Sequence, residues 1–149
     1  MLPPITKSAQ IHIPIEEVFE YFTLGMGNWW PVESHSVAAN SGAVPQELHF
    51  ETQLGGKIYE VLPDGSHAVW GSITLWEPPE KVTFSWHPGK DPALATKITL
   101  QLSRHGSHTE IRLIHEGWEV LGKEAKAQHA QYDPGWDFVF GECFLSRFN

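Results

Sequence analysis

Alternating apolar and polar residues dominate the middle of the chain and predict an antiparallel sheet. In residues 54–86, LGGKIYEVLPDGSHAVWGSITLWEPPEKVTFSW, three strand-like runs are separated by turns. Successive side chains of a strand point to opposite faces, so the apolar residues of VTFSW, residues 82–86, share one face. Residues 97–102 and 109–115 repeat this period of two. The pattern therefore predicts at least five strands that are buried on one side.

Two other segments have the three- and four-residue spacing of helices. After Pro14, the run IEEVFEYF brings its apolar residues to one helical face, and its glutamates fall in the first turn, where the helix dipole favours them. Near the C-terminus the recurring apolar residues are Trp136, Val139, Phe140, Cys143, Phe144 and Phe148. They predict a long amphipathic helix, which starts either after Asp133 and Pro134 or near Lys123 with a bend at Pro134.

The order of the elements predicts the fold class. Further strands are expected at the start of the chain and at residues 46–52, and hairpin turns at residues 63–65, 77–79 and 105–107. One early helix, six or seven antiparallel strands and a closing apolar helix predict an α+β domain in which a curved sheet wraps the C-terminal helix. At 149 residues, we expect a single domain, residues 1–149.

Composition narrows the range of partners. Ten basic against eighteen acidic residues give a formal charge of −8, and the basic residues are spread singly, so we expect no nucleic-acid partner. The single cysteine, Cys143, cannot form an internal disulfide, and the opening MLPPITK lacks the apolar stretch of a secretory signal. These features favour a cytoplasmic location. No apolar run reaches the length of about 20 residues that a membrane-spanning helix needs, so we expect no membrane insertion.

Motifs for metal, nucleophilic or nucleotide chemistry are absent. The nine histidines are scattered over different elements, without the spacing of a metal site. No G-x-S-x-G elbow is present, and Ser34, His35 and Ser36 lie on a loop with no adjacent group to orient a base. Gly55 and Gly56 precede a strand instead of a helix, unlike a phosphate-binding loop. We therefore expect no metal and no cofactor.

The motifs taken together resemble those of a known superfamily. They are VFEYFT, NWWP, LGGKIYE, the DG turn, VWGSITLWEPPEKVTFSW, LIHEGWE and the late PGW. Their order and spacing are similar to those of the START-like superfamily, also called SRPBCC, and most similar to its branch named after the activator of the heat-shock protein 90 ATPase. This resemblance implies a helix-grip fold with a cavity between the sheet and the C-terminal helix. The superfamily uses such cavities for lipids, polyketides, hormones and other apolar ligands, and less often for catalysis.

The resemblance and the alternation pattern give a set of candidate ligand-binding residues: Trp30, Glu60, Trp70, Phe84, Trp86, His115, Trp136 and Phe140. For the phenylalanines and Trp136, simple core packing is the alternative. Alternation places Glu60 on the inner face, where a carboxylate must be paired or protonated. A bulge after Gly55 and Gly56 would instead turn Glu60 toward solvent or Arg112.

Two further candidates have competing interpretations. His115 shares a face with apolar residues, so it is either a hydrogen-bonding partner for a ligand or a satisfied core histidine. Trp29 and Trp30 are adjacent indoles before Pro31. We expect that both cannot point inward on one short element, so that one of them borders an opening or a partner surface.

Three functions are compatible with this sequence. The favoured one is a binding protein that holds a small apolar or amphipathic molecule between the sheet and the C-terminal helix, oriented by Glu60 and His115. The second is an enzyme of the polyketide-cyclase or hydrolase type, with Glu60 or His115 as general base. The third is a chaperone-associated interaction module that exposes Trp29 and Trp30. A homodimer is also compatible with the sequence, which fixes no interface.

Overall fold

The computed structural model describes residues 2–148, most of which are organised around one antiparallel sheet of seven strands. The strands are β1 Ile5–Ile11, β2 Glu47–Phe50, β3 Lys57–Val61, β4 His67–Glu77, β5 Lys81–Trp86, β6 Thr96–His105 and β7 His108–Glu116. Their order across the sheet is β1-β7-β6-β5-β4-β3-β2. The sheet is curled and packs on a long C-terminal helix, which confirms the predicted helix-grip fold.

The predicted hairpins and inner face are also confirmed. The three expected turns join β3 to β4, β4 to β5 and β6 to β7. The residues that alternation assigned to one face are almost wholly buried: Val82, Phe84, Trp86, Ile98, Leu100, Leu102, Ile111 and Leu113. This face forms one wall of the core, because branched and aromatic side chains pack well on a pleated surface.

Helix α1, Ile15–Phe22, closes one part of the sheet. It follows Pro14 and buries the residues at helical spacing, Ile15, Val18, Phe19 and Phe22. Just beyond its end, the Thr23 hydroxyl donates a hydrogen bond to the Phe19 carbonyl at 2.8 Å. The Thr23 backbone N–H donates to the same carbonyl at 3.1 Å, so both donors of Thr23 bind the last turn of the helix.

The C-terminal helix comprises α2, Ala125–Trp136, the π-helical turns Asp137–Phe144 and the 3₁₀ turn Leu145–Phe148. Of the two predicted starts, the one near Lys123 is confirmed, and Pro134 lies inside the helix. The change to wide π-helical turns follows this proline, which cannot donate the usual backbone hydrogen bond. Within residues 2–148, no helix is long and apolar enough to cross a membrane.

Strand β4 contains an irregularity that alternation did not predict. Its pairing with β3 shifts by one residue at Trp70, which makes Trp70 the extra residue of a β-bulge. The next residue, Gly71, approaches β5 so closely that a Cβ atom would lie 1.7 Å from the Ser85 backbone oxygen. The bulge places the Trp70 ring on the inner side of the sheet, with its centroid 5.6 Å from that of Trp86.

Candidate functional site

A cavity of about 400 Å³ lies between strands β4 and β5, the loop after Trp30 and the C-terminal helix. Small-molecule sites typically enclose about 300–1,000 Å³. Its lining residues are Trp30, Ser34, His35, Ser36, Val37, Asn40, Trp70, Trp86, Pro88, Lys90, Gln128, Gln131, Tyr132, Gly135, Trp136 and Val139. The space is therefore large enough for a molecule of two or three fused rings.

Four buried tryptophans form one side of the cavity, which we call the floor: Trp30, Trp70, Trp86 and Trp136. The ring of Trp30 is central, because its centroid lies 5.3 to 5.9 Å from those of the other three. Such distances are typical of tilted and edge-to-face aromatic packing. Since the rings come from a loop, two strands and the helix, the floor forms only when all of these elements are packed together.

The four indole nitrogens of the floor are already hydrogen-bonded within the protein. Trp30 donates to the His35 carbonyl at 2.6 Å, and Trp70 donates to Glu60 Oε1 at 2.7 Å. Trp86 donates to the Tyr132 hydroxyl at 3.1 Å, and Trp136 donates to His115 Nδ1 at 3.0 Å. An indole has a single polar hydrogen. The floor therefore offers a ligand carbon surfaces and π-faces, and no free N–H donor.

Glu60 is fully buried on the inner side of β3 and holds the loop over the cavity. Its two carboxylate oxygens accept hydrogen bonds from the backbone N–H groups of Val37 and Ala38, at 2.6 and 3.1 Å, and from the indole of Trp70. Three donors directed at two oxygens match an acceptor-only carboxylate. The alternative in which a bulge turned Glu60 outward is wrong, because the bulge occurs in β4 and leaves the inward direction of Glu60 unchanged.

His115 is also fully buried, and it stands behind the floor. Its Nδ1 accepts the hydrogen bond from Trp136, so the remaining ring proton is on Nε2 and points to the Thr96 hydroxyl at 2.7 Å. Burial, together with a smaller contribution from the charge of His129, lowers the pKa of His115 from 6.5 to about 3. His115 is therefore a neutral imidazole at pH 7, with both ring nitrogens occupied.

The opposite side of the cavity is polar and open to solvent. Its exposed residues, which we call the rim, are Ser34, Asn40, Lys90 and Gln131. Half-buried His35 adjoins them, with Nδ1 2.7 Å from the Ser34 hydroxyl. Burial lowers the pKa of His35, and this effect outweighs the opposing charge of Glu33. In residues 2–148, no group of three or more His, Cys, Asp or Glu side chains is placed to hold a metal ion.

The structure divides the predicted site residues into two groups. Trp30, Trp70, Trp86 and Trp136 line the cavity, whereas Glu60, Phe84, His115 and Phe140 are buried outside its lining. Glu60 and His115 each hydrogen-bond a tryptophan of the floor, so they support it from behind. Direct contact of any of the eight residues with a ligand stays a prediction.

The expectation for the adjacent indoles agrees with the structure only in part. Both Trp29 and Trp30 point inward, with 5% and 8% of their surface exposed, but Trp30 lines the solvent-open cavity. The two rings diverge after the short 3₁₀ turn Met26–Asn28. Trp29 packs between α1 and the C-terminal helix, with its centroid 4.9 Å from that of Phe144, while Trp30 enters the floor. An interaction surface made of these two indoles is therefore absent.

Several lining residues were missed from the sequence. Gln128, Gln131, Tyr132 and Gly135 precede Trp136 at helical intervals, so extending the period backwards from Trp136 would have found them. Burial raises the pKa of the Tyr132 hydroxyl, which lines the cavity as a neutral group. The loop residues Val37, Pro88 and Lys90 carry no such signal, because only the tertiary structure brings their loops together.

Comparison with known proteins gives one family and a set of similar structures. The family described as Activator of Hsp90 ATPase homolog 1-like protein matches residues 12–140. The anthrahydroquino-gamma-pyrone synthase Txn09 is 30% identical, with 99% of this chain and 95% of that chain covered and a TM-score of 0.61. No curated protein matches significantly.

Two further solved structures share the fold at lower identity. The Aha1 dimer from Colwellia psychrerythraea is 16% identical, with 97% of this chain and 96% of that chain covered and a TM-score of 0.69. Protein BH1534 from Bacillus halodurans is 22% identical, with 99% and 98% coverage and a TM-score of 0.69. At these identities the likeness concerns the fold alone.

Proposed function

The chain belongs to the family of Activator of Hsp90 ATPase homolog 1-like proteins, and from this premise and the cavity we propose that it binds a small, mainly apolar molecule on the tryptophan floor. The family and fold support a ligand-binding or polyketide-cyclase-like role in general. The proposal that the ligand is small and mainly apolar depends on the floor. Its four indoles offer π-faces to a ligand, while their N–H groups are hydrogen-bonded to other groups of the protein.

Burial of apolar ligand surface supplies the affinity in this proposal. About 25 cal/mol is gained for each Å² of apolar surface removed from water, and offset stacking on indoles adds to it. The polar rim lets one end of the ligand remain in contact with water. A molecule with an apolar ring system and one polar end is thus the class that best matches both sides of the cavity.

Gly135 offers a way to close the cavity without disturbing its walls. It lies in α2 and lines the cavity, and a Cβ atom added there would meet no other atom within 4 Å. The substitution Gly135→Leu should place a side chain in the empty space. Gly141→Leu is a matched control, because Gly141 also lies in the C-terminal helix with no atom within 4 Å of its Cβ position, but outside the cavity lining.

Isothermal titration calorimetry with 2-naphthylmethanol, a neutral two-ring probe, tests the proposal. We expect saturable one-site binding to the unaltered protein and to Gly141→Leu, and loss of binding in Gly135→Leu. Circular dichroism should show all three proteins folded. Absence of binding to the unaltered protein, or equal binding by Gly135→Leu, would contradict the proposal.

An enzyme is the second candidate, favoured by the pair Ser34 and His35 on the cavity and by the 30% identity to a synthase. The Ser34 hydroxyl is also 3.4 Å from the Pro31 carbonyl, which can only accept. If the hydroxyl proton points to that carbonyl, His35 Nδ1–H donates to Ser34 and Nε2 is free to accept a proton. In this candidate His35 replaces Glu60 and His115 as the base, because both of those are hydrogen-bonded behind the floor.

Hydrolysis of 2-naphthyl acetate to 2-naphthol and acetate tests this second candidate. An enzyme of the hydrolase type should release 2-naphthol faster than free imidazole at the same concentration. The excess should disappear in His35→Gln and persist when the exposed His105 is changed to Gln. Equal rates for protein and imidazole would reject the hydrolase form of the proposal.

We propose separately that the chain forms a homodimer, which is compatible with the sequence and is suggested by the Colwellia psychrerythraea Aha1 dimer. Sedimentation velocity over a hundredfold range of concentration tests it. A sedimentation coefficient that rises with concentration toward that of a 34 kDa particle, about twice the chain mass of 16.8 kDa, is the expected result. A constant value for a 16.8 kDa particle would contradict it.

A further inference from the structure

The one charged side chain that lines the cavity is opposite in sign to the net charge of the chain. The protein has eighteen acidic and ten basic residues, yet no aspartate or glutamate belongs to the cavity lining. The one permanently charged lining residue is Lys90, on the loop after β5. A cavity that excludes carboxylates in an acidic protein discriminates between ligands by charge, because like charges repel and opposite charges attract most strongly where water is partly excluded.

Lys90 is available to a ligand. Its side chain is exposed at the rim, and within the described part of the chain no carboxylate forms an ion pair with its ammonium group. The neighbouring Asp91 forms no ion pair with Lys90, and its Oδ1 accepts a hydrogen bond from the Ala93 N–H at 2.8 Å instead. An anionic group at the rim would therefore meet a cation that has no competing partner among the described residues.

The other titratable lining groups do not offset this charge. Burial lowers the pKa of His35 and raises that of Tyr132, so both are neutral near pH 7. Glu33, which acts on His35 through its charge, is not part of the lining. The cavity thus has a neutral aromatic floor and a rim with one positive charge.

The floor favours flat, aromatic ligands. The rings of Trp70 and Trp86 are tilted by 55° and 53° against that of Trp30, so the surface offers several ring planes for stacked or edge-to-face contact. Indole faces also attract cations, but a cation that entered here would approach Lys90. The aromatic floor and Lys90 together should therefore favour binding of an aromatic acid over binding of an aromatic amine.

We propose that the ligand is a planar aromatic molecule that carries one acidic group, with its rings on the tryptophan floor and its carboxylate or phenolate beside Lys90 at the rim. This inference rests on the proposed function and names the ligand class for the same cavity. The acidic group stays partly hydrated at the exposed rim, so the molecule avoids the cost of burying a charge without a partner.

Three probes that differ mainly in charge test the inference: 2-naphthoate, 2-naphthylmethanol and 2-naphthylmethylammonium. In calorimetry at pH 7.5 and low salt, we expect 2-naphthoate to bind about fivefold more tightly than the alcohol, in line with an exposed ion pair, and the ammonium compound most weakly. In Lys90→Gln the preference for 2-naphthoate should disappear. In the control Lys126→Gln, which alters an exposed lysine of α2 outside the lining, it should persist.

The outcomes separate this inference from the proposed function. If none of the three probes binds, the proposed function itself is wrong. If all three bind with equal affinity, if the ammonium compound binds most tightly, or if Lys90→Gln keeps the full preference for 2-naphthoate, the cavity is a binding site and the acidic ligand class is wrong.

Discussion

Protonation of His115 should destabilise the fold in mildly acidic solution. In the folded protein its Nδ1 accepts the Trp136 hydrogen bond and its Nε2–H points to Thr96, so a second ring proton on Nδ1 would remove one of these bonds and place a charge in the core. Burial therefore holds the pKa of His115 at about 3, against 6.5 without the protein environment. Because a lower pH also protonates other groups of the protein, the contribution of His115 must be isolated by comparison with a variant that cannot titrate at this position.

The direction and size of the effect follow from these two pKa values. Between pH 6.5 and pH 3 the unfolded chain binds a proton on His115 that the folded chain does not bind. The contribution of neutral His115 to the free energy of unfolding is therefore fully present above pH 6.5 and decreases as the pH falls toward 3. The loss amounts to about 2 kcal/mol at pH 5 and approaches about 5 kcal/mol below pH 3.

Urea unfolding followed by tryptophan fluorescence measures the effect. The free energy of unfolding is determined at pH 7.5 and pH 5 for the unaltered protein, for His115→Gln and for His105→Gln, which changes an exposed histidine. Glutamine does not titrate in this range. We expect His115→Gln to be less stable at pH 7.5, but to lose about 2 kcal/mol less than the other two proteins on going to pH 5.

A second measurement covers the case in which His115→Gln does not fold. In NMR spectra of the unaltered protein, the His115 ring signals should stay constant from pH 8 to pH 5. A His115 titration near pH 6.5, or identical pH dependence in the unaltered protein and His115→Gln, would refute the burial argument.

Three further substitutions test the supports of the cavity through the free energy of urea unfolding. Glu60→Gln should lower it by about 1–3 kcal/mol, because the amide keeps only one acceptor oxygen for three donors, whereas the exposed Glu47→Gln should leave it nearly unchanged. Gly71→Ala should prevent stable folding or lower the melting temperature strongly, since its Cβ would overlap the Ser85 backbone oxygen; a melting temperature like that of the unaltered protein would show that β4 can move away. Gly135→Ala should raise the free energy of unfolding by about 0.5–1 kcal/mol, because alanine is the better helix former and its methyl group enters empty space; a loss of stability would mean that the space is filled.

The alternation of β5, β6 and β7 and the spacing of α1 were enough to predict most of the fold. These elements have one buried face each, so the sequence repeats the period of the structure. The bulge at Trp70 was not predictable in this way, because an inserted residue breaks the period without leaving a distinct sequence signal. Gly71 marks the place, but a lone glycine in a strand is a weak indicator.

The candidate site was predictable where it is made of large aromatic residues. The four tryptophans of the floor were all among the predicted residues, since bulky rings on inward-facing positions of a curled sheet gather in one space. The prediction that Trp29 and Trp30 could not both point inward failed because, after the 3₁₀ turn, the two rings pack in different parts of the core, Trp29 against Phe144 and Trp30 against Trp70. Lys90 was missed because nothing in its local sequence shows that its loop faces the C-terminal helix.

The seven tryptophan indole N–H signals provide the most direct measurement of where a ligand binds. They are assigned in ¹H–¹⁵N NMR spectra by single Trp→Phe substitutions and followed during titration with 2-naphthylmethanol. Binding in the cavity should shift the signals of Trp30, Trp70, Trp86 and Trp136 through the ring current of the probe, and leave those of Trp29, Trp76 and Trp118 nearly unchanged. Saturating shifts confined to the second group, or no saturable shifts at all, would show that the cavity does not hold a small apolar molecule.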